Sequence, residues 1–399
     1  MKYLVLIGDG MSDLPIKSLG GKTPLQSAET PNMDFLAQNG TVGLVSNVPN
    51  GIPPGSDVAA TSIFGYDPRK YYTGRGPLEA ASLGVKLKKG DVAFRCNLVT
   101  IKDGKMESFT ADHITTSEAS KILKTLNSKI ATKKIKFYTG LSYRHLLVIS
   151  DPDIANVKCT PPHDITGKNI EEHLPKGHGE KLIRHLMKET IMPLLEHEVN
   201  IARIKTGKKP ATMIWLWGQG KSPSFKKFKA KYRKSAAVIT AVHLLKGLGR
   251  LLGMEIVNVK GATGFLDTNY KGKASAAIKM LRKHDVVFVH VEAPDECGHM
   301  GDIKGKIRAI EDFDSKIVGP LLEWVLKGKE PAKILVLPDH PTPLKLMTHT
   351  NDPVPFVIFD SKTKRGKAHA KAFSEFEAKK ANISIKNGHS LIEKLLKKD

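Results

Sequence analysis

The sequence predicts an α/β protein with a doubly wound, mostly parallel sheet and a smaller α+β domain inserted into it. Three observations carry this. Short apolar runs rich in strand formers (residues 3–7, 286–291 and 334–337) alternate with helical patterns, the arrangement that builds a parallel sheet. Each run hands over within a few residues to acidic side chains or histidine, which is where open α/β sheets keep their chemistry. Between residues 78 and 205 the pattern changes to Lys-rich helical stretches, scattered strand-like pieces and a long Pro/His/Gly segment. The expected division is therefore 1–77 plus 206–399 for the larger domain and 78–205 for the insert.

Taken in order, residues 3–7 form the first strand and Gly8-Asp9-Gly10 ends it, so Asp9 sits at a strand's carboxyl end. Thr30-Pro31-Asn32 starts a helix that closes at Gly40. Residues 42–45 read as a strand. In the stretch Gly51 to Ala60, Pro and Gly impose a loop and the small residues after Ser56 open a helix. That places Ser56 at a helix N-terminus, where unpaired backbone N–H groups favour a phosphate. No G-x-S-x-G surrounds Ser56 and no nearby histidine offers itself as a base, so a metal ion is the expected activator of its hydroxyl.

In the insert, residues 92–99 and 146–149 read as strands, with helices over 118–126 and 181–196. The insert carries Arg95, Arg144, His163 and Asp164, groups able to hold a phosphate or carboxylate. Residues 213–217 read as a return to the larger domain, followed by an amphipathic helix over 236–252 and a strand over 255–259. A helix over 274–282 leads into the strand 286–291. Asp295 and His299 follow, and one helical turn puts them on the same side; Glu292 and Asp302 are further potential ligands. A helix over 307–318 precedes the strand 334–337, after which Asp339 and His340 come at once and His349 lies in a polar turn. Residues 355–359 form one more strand, 362–384 look peripheral, and Ser390 to Glu393 has the form of a capping box.

Composition limits the partners. The chain has 399 residues, enough for a large core, with 40% hydrophobic and 26% charged residues as in ordinary soluble proteins. Lys and Arg number 63 against 40 Asp and Glu, a formal net charge of +23 that favours anionic partners. The basic residues are mostly lysines, Lys226, Lys227, Lys229 and Lys231 among them, in a pattern that suits a solvated face, and only 6% of residues are aromatic, so a small phosphorylated metabolite is expected and nucleic acid is not. Cys96, Cys159 and Cys297 are far apart and form no C-x-x-C, which argues against a disulfide framework or a thiolate zinc site. The N-terminal apolar run is too short for a signal peptide, and no segment has the length of a membrane span. A soluble cytoplasmic protein is expected, with homo-oligomerisation left open.

Asp9, Ser56, Asp295, His299, Asp339, His340 and His349 together form a carboxylate and imidazole set without thiolates. Such a set suits divalent manganese, magnesium, cobalt or zinc, and it is large enough for two ions. A pair of cations can lower the pKa of a bound hydroxyl and neutralise a phosphoryl group in transfer.

The segments GDG at Asp9, PPGSDVAATS at Ser56, APDECGHMGD from Ala293 and LPDHPTP with THTNDPVPF from Leu337 closely resemble the alkaline-phosphatase superfamily. More narrowly the chain resembles the archaeal-type cofactor-independent phosphoglycerate mutases, nearly end to end, with PPHDITG at Pro161 and GRGPLEAASLGV at Gly74 joining in. The resemblance implies two metal ions, manganese or magnesium before cobalt or zinc, and no 2,3-bisphosphoglycerate cofactor. Asp9, Ser56, Asp339 and His340 would hold one ion; Asp295, His299 and His349 would hold the other. Ser56 would be the nucleophile that carries phosphate between the 3- and 2-hydroxyls of glycerate. Arg95, Arg144, His163 and Asp164 would bind substrate. The competing expectation is a related metal-dependent phosphatase or phosphomutase acting on another small phosphate ester.

Overall fold

A computed structural model of the chain describes residues 1–363 and 370–397. The chain divides into two compact units, one formed by Met1–Tyr72 with Phe225–Asp399 and the other by Thr73–Ser224.

The larger unit is built on an eight-stranded sheet. Its strand order is Ser384–Ile385, Thr41–Val45, Val354–Asp360, Ala332–Leu337, Lys2–Gly8, Val286–Val291, Ala236–Ile239, Glu255–Val257. Only Val354–Asp360 runs antiparallel to its neighbours. Lys2–Gly8 lies at the centre, parallel to Ala332–Leu337 on one side and Val286–Val291 on the other. The register aligns Gly8 with Val291 and Ile7 with Leu337, so three carboxyl ends stop at one level. These strands are buried on both faces, which explains continuous apolar runs rather than alternation.

Alternate residues go to opposite layers, as the strand period requires. Leu4, Leu6, Val287, Val289, Ile334 and Val336 join a core with Met33, Leu36, Ala274, Ala277, Leu281, Phe313 and Leu321, from the helices Pro31–Asn39, Tyr270–Leu281, Ile303–Phe313 and Gly319–Lys327. On the other face Phe288 packs against Phe64, just past the helix Ser56–Ile63, with ring centroids 4.6 Å apart. Aromatic pairs of this geometry add about 1 kcal/mol beyond area burial. Helices on both faces make the sheet doubly wound.

The smaller unit has a five-stranded antiparallel sheet in which Asp91–Lys102 pairs with Lys105–Ser108, Arg144–Ser150 and Met213–Lys221. Its core gathers Phe94, Leu98, Ile122, Leu126, Leu147, Leu186 and Trp215 around the helices Thr116–Lys129 and Glu180–Glu189.

Several expectations are corrected. The apolar run at 213–217 belongs to the smaller unit's sheet, because its register is set by pairing with Asp91–Lys102. The division accordingly falls at 72/73 and 224/225 rather than at 77/78 and 205/206. The helix expected over 236–252 is a strand, Ala236–Ile239, followed by a helix, His243–Leu251. The β-branched Val238 and Ile239 fill a buried parallel position beside Phe288 and Val289, and burial overrides the helical spacing. Ser390 forms no capping box; its hydroxyl donates to the Asn387 carbonyl instead. Of the charged segment 362–384, residues 364–369 lie outside the described residues.

Candidate functional site

The three aligned strand ends deliver the site. Lys2–Gly8 leads into Asp9, Ala332–Leu337 into Asp339 and His340, and Val286–Val291 into the helix Ala293–His299 that bears Asp295 and His299 one turn apart. Ser56 is the first residue of the helix Ser56–Ile63, after Gly55, and is half-buried. Its Oγ lies 3.2 Å from Asp9 Oδ2 and 3.2 Å from His340 Nε2.

Around Ser56, His340 Nε2 stands 3.6 Å from Asp9 Oδ1 and 3.4 Å from Asp339 Oδ2. Asp339 Oδ1 accepts from the backbone N–H of Gly10 at 3.1 Å and of His340 at 2.8 Å. The second set adjoins the first. Asp295 Oδ2 is 3.3 Å from His299 Nε2, Asp295 Oδ1 is 3.5 Å from His349 Nε2, and the two imidazole nitrogens face each other at 2.9 Å. The His340 and His349 rings, 4.2 Å between centroids, join the sets. In each of the triads Asp9, Asp339, His340 and Asp295, His299, His349 the potential ligand atoms lie within 4.8 Å of one another.

The donors fit divalent cations on the structure's own terms. Asp339 Oδ2 is buried with no hydrogen-bond partner among the described residues, and such an atom calls for one. Burial, then the charges of Asp339, Asp295 and Glu292, push the Asp9 carboxyl well above the usual carboxylate range. Burial opposes ionisation of Asp295, but hydrogen bonds from His299 and His349 hold its carboxyl well below that range. The hydrogen bond to Asp295 raises His299 to about 9, so a proton takes the place between these groups that a cation would take. Burial lowers His340.

All seven residues singled out by sequence therefore converge, while Asp302 does not join them. Its carboxylate caps the helix Ile303–Phe313 by accepting from Gly305 N–H at 2.9 Å. Four residues escaped the sequence reading. His290, buried at the end of Val286–Val291, has Nε2 3.0 Å from Asp9 Oδ2, and burial lowers its pKa to about 4. Lys273 donates to the His290 carbonyl at 3.1 Å. Asn47 donates to the Asp339 carbonyl at 3.0 Å. Thr342 lies against both Asp295 and His340. A histidine inside an otherwise apolar strand was the one readable signal among them.

In the smaller unit Arg95 and His163 meet at Trp217, the guanidinium 4.6 Å from the ring centroid and the imidazole 5.2 Å. Arg75 lies 5.6 Å from the same ring. Arg144 sits over Tyr143 at 5.3 Å, and Phe109 links Tyr143 to His163. Asp164 is exposed, 3.7 Å from His163. Arg95 is buried and its Nε lacks a hydrogen-bond partner among the described residues.

A family model described as 2,3-bisphosphoglycerate-independent phosphoglycerate mutase matches residues 37–200. A protein of that name from Methanosarcina barkeri is 53% identical over 397 residues, covering 100% of both chains. The chain belongs to this family. A second phosphoglycerate mutase of this kind, from Methanothermobacter thermautotrophicus, is 49% identical across 98% of this chain and 96% of its own. Among solved structures, a Pyrococcus horikoshii protein matches with TM-score 0.82 and 32% identity over 99% of this chain and 96% of that one. The cofactor-independent phosphoglycerate mutase of Thermoplasma acidophilum matches with TM-score 0.66 and 27% identity over 99% of each. Phosphoglycerate mutases are isomerases, and the α/β architecture found here is the one this family shares. Among the described residues no helix is long and apolar enough to cross a membrane.

Proposed function

We propose that the chain interconverts 3-phosphoglycerate and 2-phosphoglycerate in the cytoplasm through a phosphoserine on Ser56, with two divalent cations, manganese or magnesium, bound by the residues around it. The observation that carries the proposal is the position of Ser56 Oγ, within 3.2 Å of both Asp9 and His340 at the start of a helix.

Asp9, Asp339 and His340, with Ser56, would hold one cation; Asp295, His299 and His349 would hold the other. When bound, the pair lowers the pKa of the serine hydroxyl and neutralises charge on the transferring phosphoryl group. Ser56 Oγ gives up its proton and attacks phosphorus, the bond to the glycerate 3-oxygen breaks, and that oxygen leaves with the electron pair and takes up a proton. The 2-hydroxyl then gives up its proton and attacks the phosphoserine, and the Oγ–P bond breaks so that Oγ leaves with the electron pair and takes up a proton, restoring Ser56. The N-terminus of the helix Ser56–Ile63 favours the phosphate's negative charge at both stages. Arg95, Arg144, His163 and Asp164 of the smaller unit are assigned to the glycerate carboxylate and phosphate, with arginine favoured for its bidentate geometry.

The test is a mutase assay on chelated protein, with manganese added back. Interconversion of the two phosphoglycerates is expected, without net release of inorganic phosphate. Release of phosphate without 2-phosphoglycerate would make the protein a phosphatase and overturn the reading.

A further inference from the structure

Thr342 is fully buried and touches both ligand sets. Its hydroxyl donates to Asp295 Oδ1 and stands 3.3 Å from His340 Nδ1. A threonine hydroxyl has one proton. With that proton on the Asp295 carboxylate, the oxygen can meet His340 only as an acceptor, so Nδ1 must carry the ring proton. Nε2 is then the ring nitrogen turned toward the first ligand set, 3.2 Å from Ser56 Oγ.

The Thr342 backbone is held as firmly. Its carbonyl accepts from Lys306 Nζ at 2.8 Å, and its N–H donates to the Ser12 carbonyl at 3.3 Å. Lys306 is fully buried, and its ammonium also reaches Asp13 Oδ2 at 2.7 Å and the Ser12 carbonyl at 3.4 Å. Asp13 in turn accepts from Leu344 N–H at 3.1 Å. One ammonium thus ties the loop that begins with Asp9 to the loop that carries His340 and His349. It does so from the helix following the one that bears Asp295 and His299. A buried ion pair is a weak source of stability, because desolvation offsets most of its attraction. What this one supplies is the register of the segments that hold the site.

We propose that Thr342 is a positioning residue that couples the two ligand sets. It orients Asp295 and selects the His340 tautomer, and Lys306, locked on Asp13, holds it there. The proposal rests on the two-cation reading above.

Calorimetric titration of the metal-stripped full chain with manganese chloride tests it, alongside thermal melting of each metal-free variant. Thr342→Val keeps the shape and loses the hydroxyl, so its metal-free melting should stay within about 3 °C of the parent. Its manganese affinity should fall about 10- to 100-fold at both sites, the scale of lost outer partners of metal ligands. Thr342→Ser should recover affinity to within about threefold of the parent. The double variant Lys306→Met/Asp13→Asn, which removes both buried charges together, should weaken manganese binding as Thr342→Val does. Three results overturn the proposal: parental affinity in Thr342→Val while Asp295→Asn loses it, equal impairment of Thr342→Val and Thr342→Ser, or affinity loss only in step with metal-free melting. If Asp295→Asn also binds manganese as the parent does, the two-cation reading itself fails, and this proposal with it.

Discussion

Ser56 Oγ lies 3.2 Å from His340 Nε2, although 284 residues separate them in the chain. Two elements meet there for one reason. The sheet register ends the strand before Asp339 and His340 level with the strand before Asp9, and the helix of Ser56 packs through Phe64 on the neighbouring Phe288.

Ser56→Ala should therefore abolish transfer and leave the fold intact. Loss of a nucleophile costs at least about 10³-fold in kcat. Ser56 is half-buried and follows Gly55, the residue at the helix cap, so the melting temperature should change little. Turnover comparable to the parent in a coupled mutase assay would remove the covalent mechanism.

Asp295→Asn should strip one cation. Its carboxylate is the common partner of His299, His349 and Thr342, and an amide offers one weak acceptor where two charged oxygens stood. Manganese titration of the metal-free protein should show one site lost or weakened about 100-fold or more. Unchanged stoichiometry and affinity would contradict the assignment.

The ligands were legible because open α/β sheets keep their chemistry where parallel strands end, and carboxylates and imidazoles recur directly after several apolar runs. Asp9, Asp339 and His340 follow this rule directly. His290 broke it from within the strand, where its neighbours Val289 and Val291 made the whole run look like core. Pairing partners were illegible for a different reason: an apolar run such as Met213–Lys221 announces a strand but not the sheet it joins. Long-range caps were equally hidden. Thr30 begins the helix Pro31–Asn39 as its sequence suggests, yet its side chain makes no capping bond. The N–H groups of Asn32 and Met33 are satisfied by Asp314, 282 and 281 positions along the chain.

The pH response should separate metal-free from metal-loaded protein. His299 is raised to about 9 by its hydrogen bond to Asp295. A raised pKa adds stability that is fully present below the ordinary histidine value and is lost as pH rises through about 9. Asp9, also raised, acts in the same direction. Chelated protein should therefore melt lower at pH 9 than at pH 6.5, with the fall centred in that interval. Manganese must displace the same protons, so its apparent affinity should rise over the same range. A chelated protein whose melting temperature is flat or rises between these values would show that His299 does not hold its extra proton in the folded state.

Gly10 gives the strictest test of how closely the two sets approach. It adopts φ +64°, and a Cβ there would lie 2.7 Å from Asp295 Cα and 2.7 Å from Thr342 Oγ1. Its N–H also donates to Asp339 Oδ1. Gly20 has nearly the same backbone, φ +67°, and a Cβ there would meet nothing within 4 Å. Gly20→Ala should cost only the left-handed backbone penalty, about 1–2 kcal/mol. Gly10→Ala carries that penalty plus about 1–3 kcal/mol of overpacking, and the atoms in its way are a main-chain carbon and a fully bonded hydroxyl that cannot swing aside. Relief requires moving Asp295 or Thr342, so Gly10→Ala should lower both the melting temperature and the manganese affinity, whereas Gly20→Ala should leave the affinity unchanged. Equal effects of the two substitutions on both readings would mean that the strand ends do not bring Asp295 and Thr342 this close to Gly10.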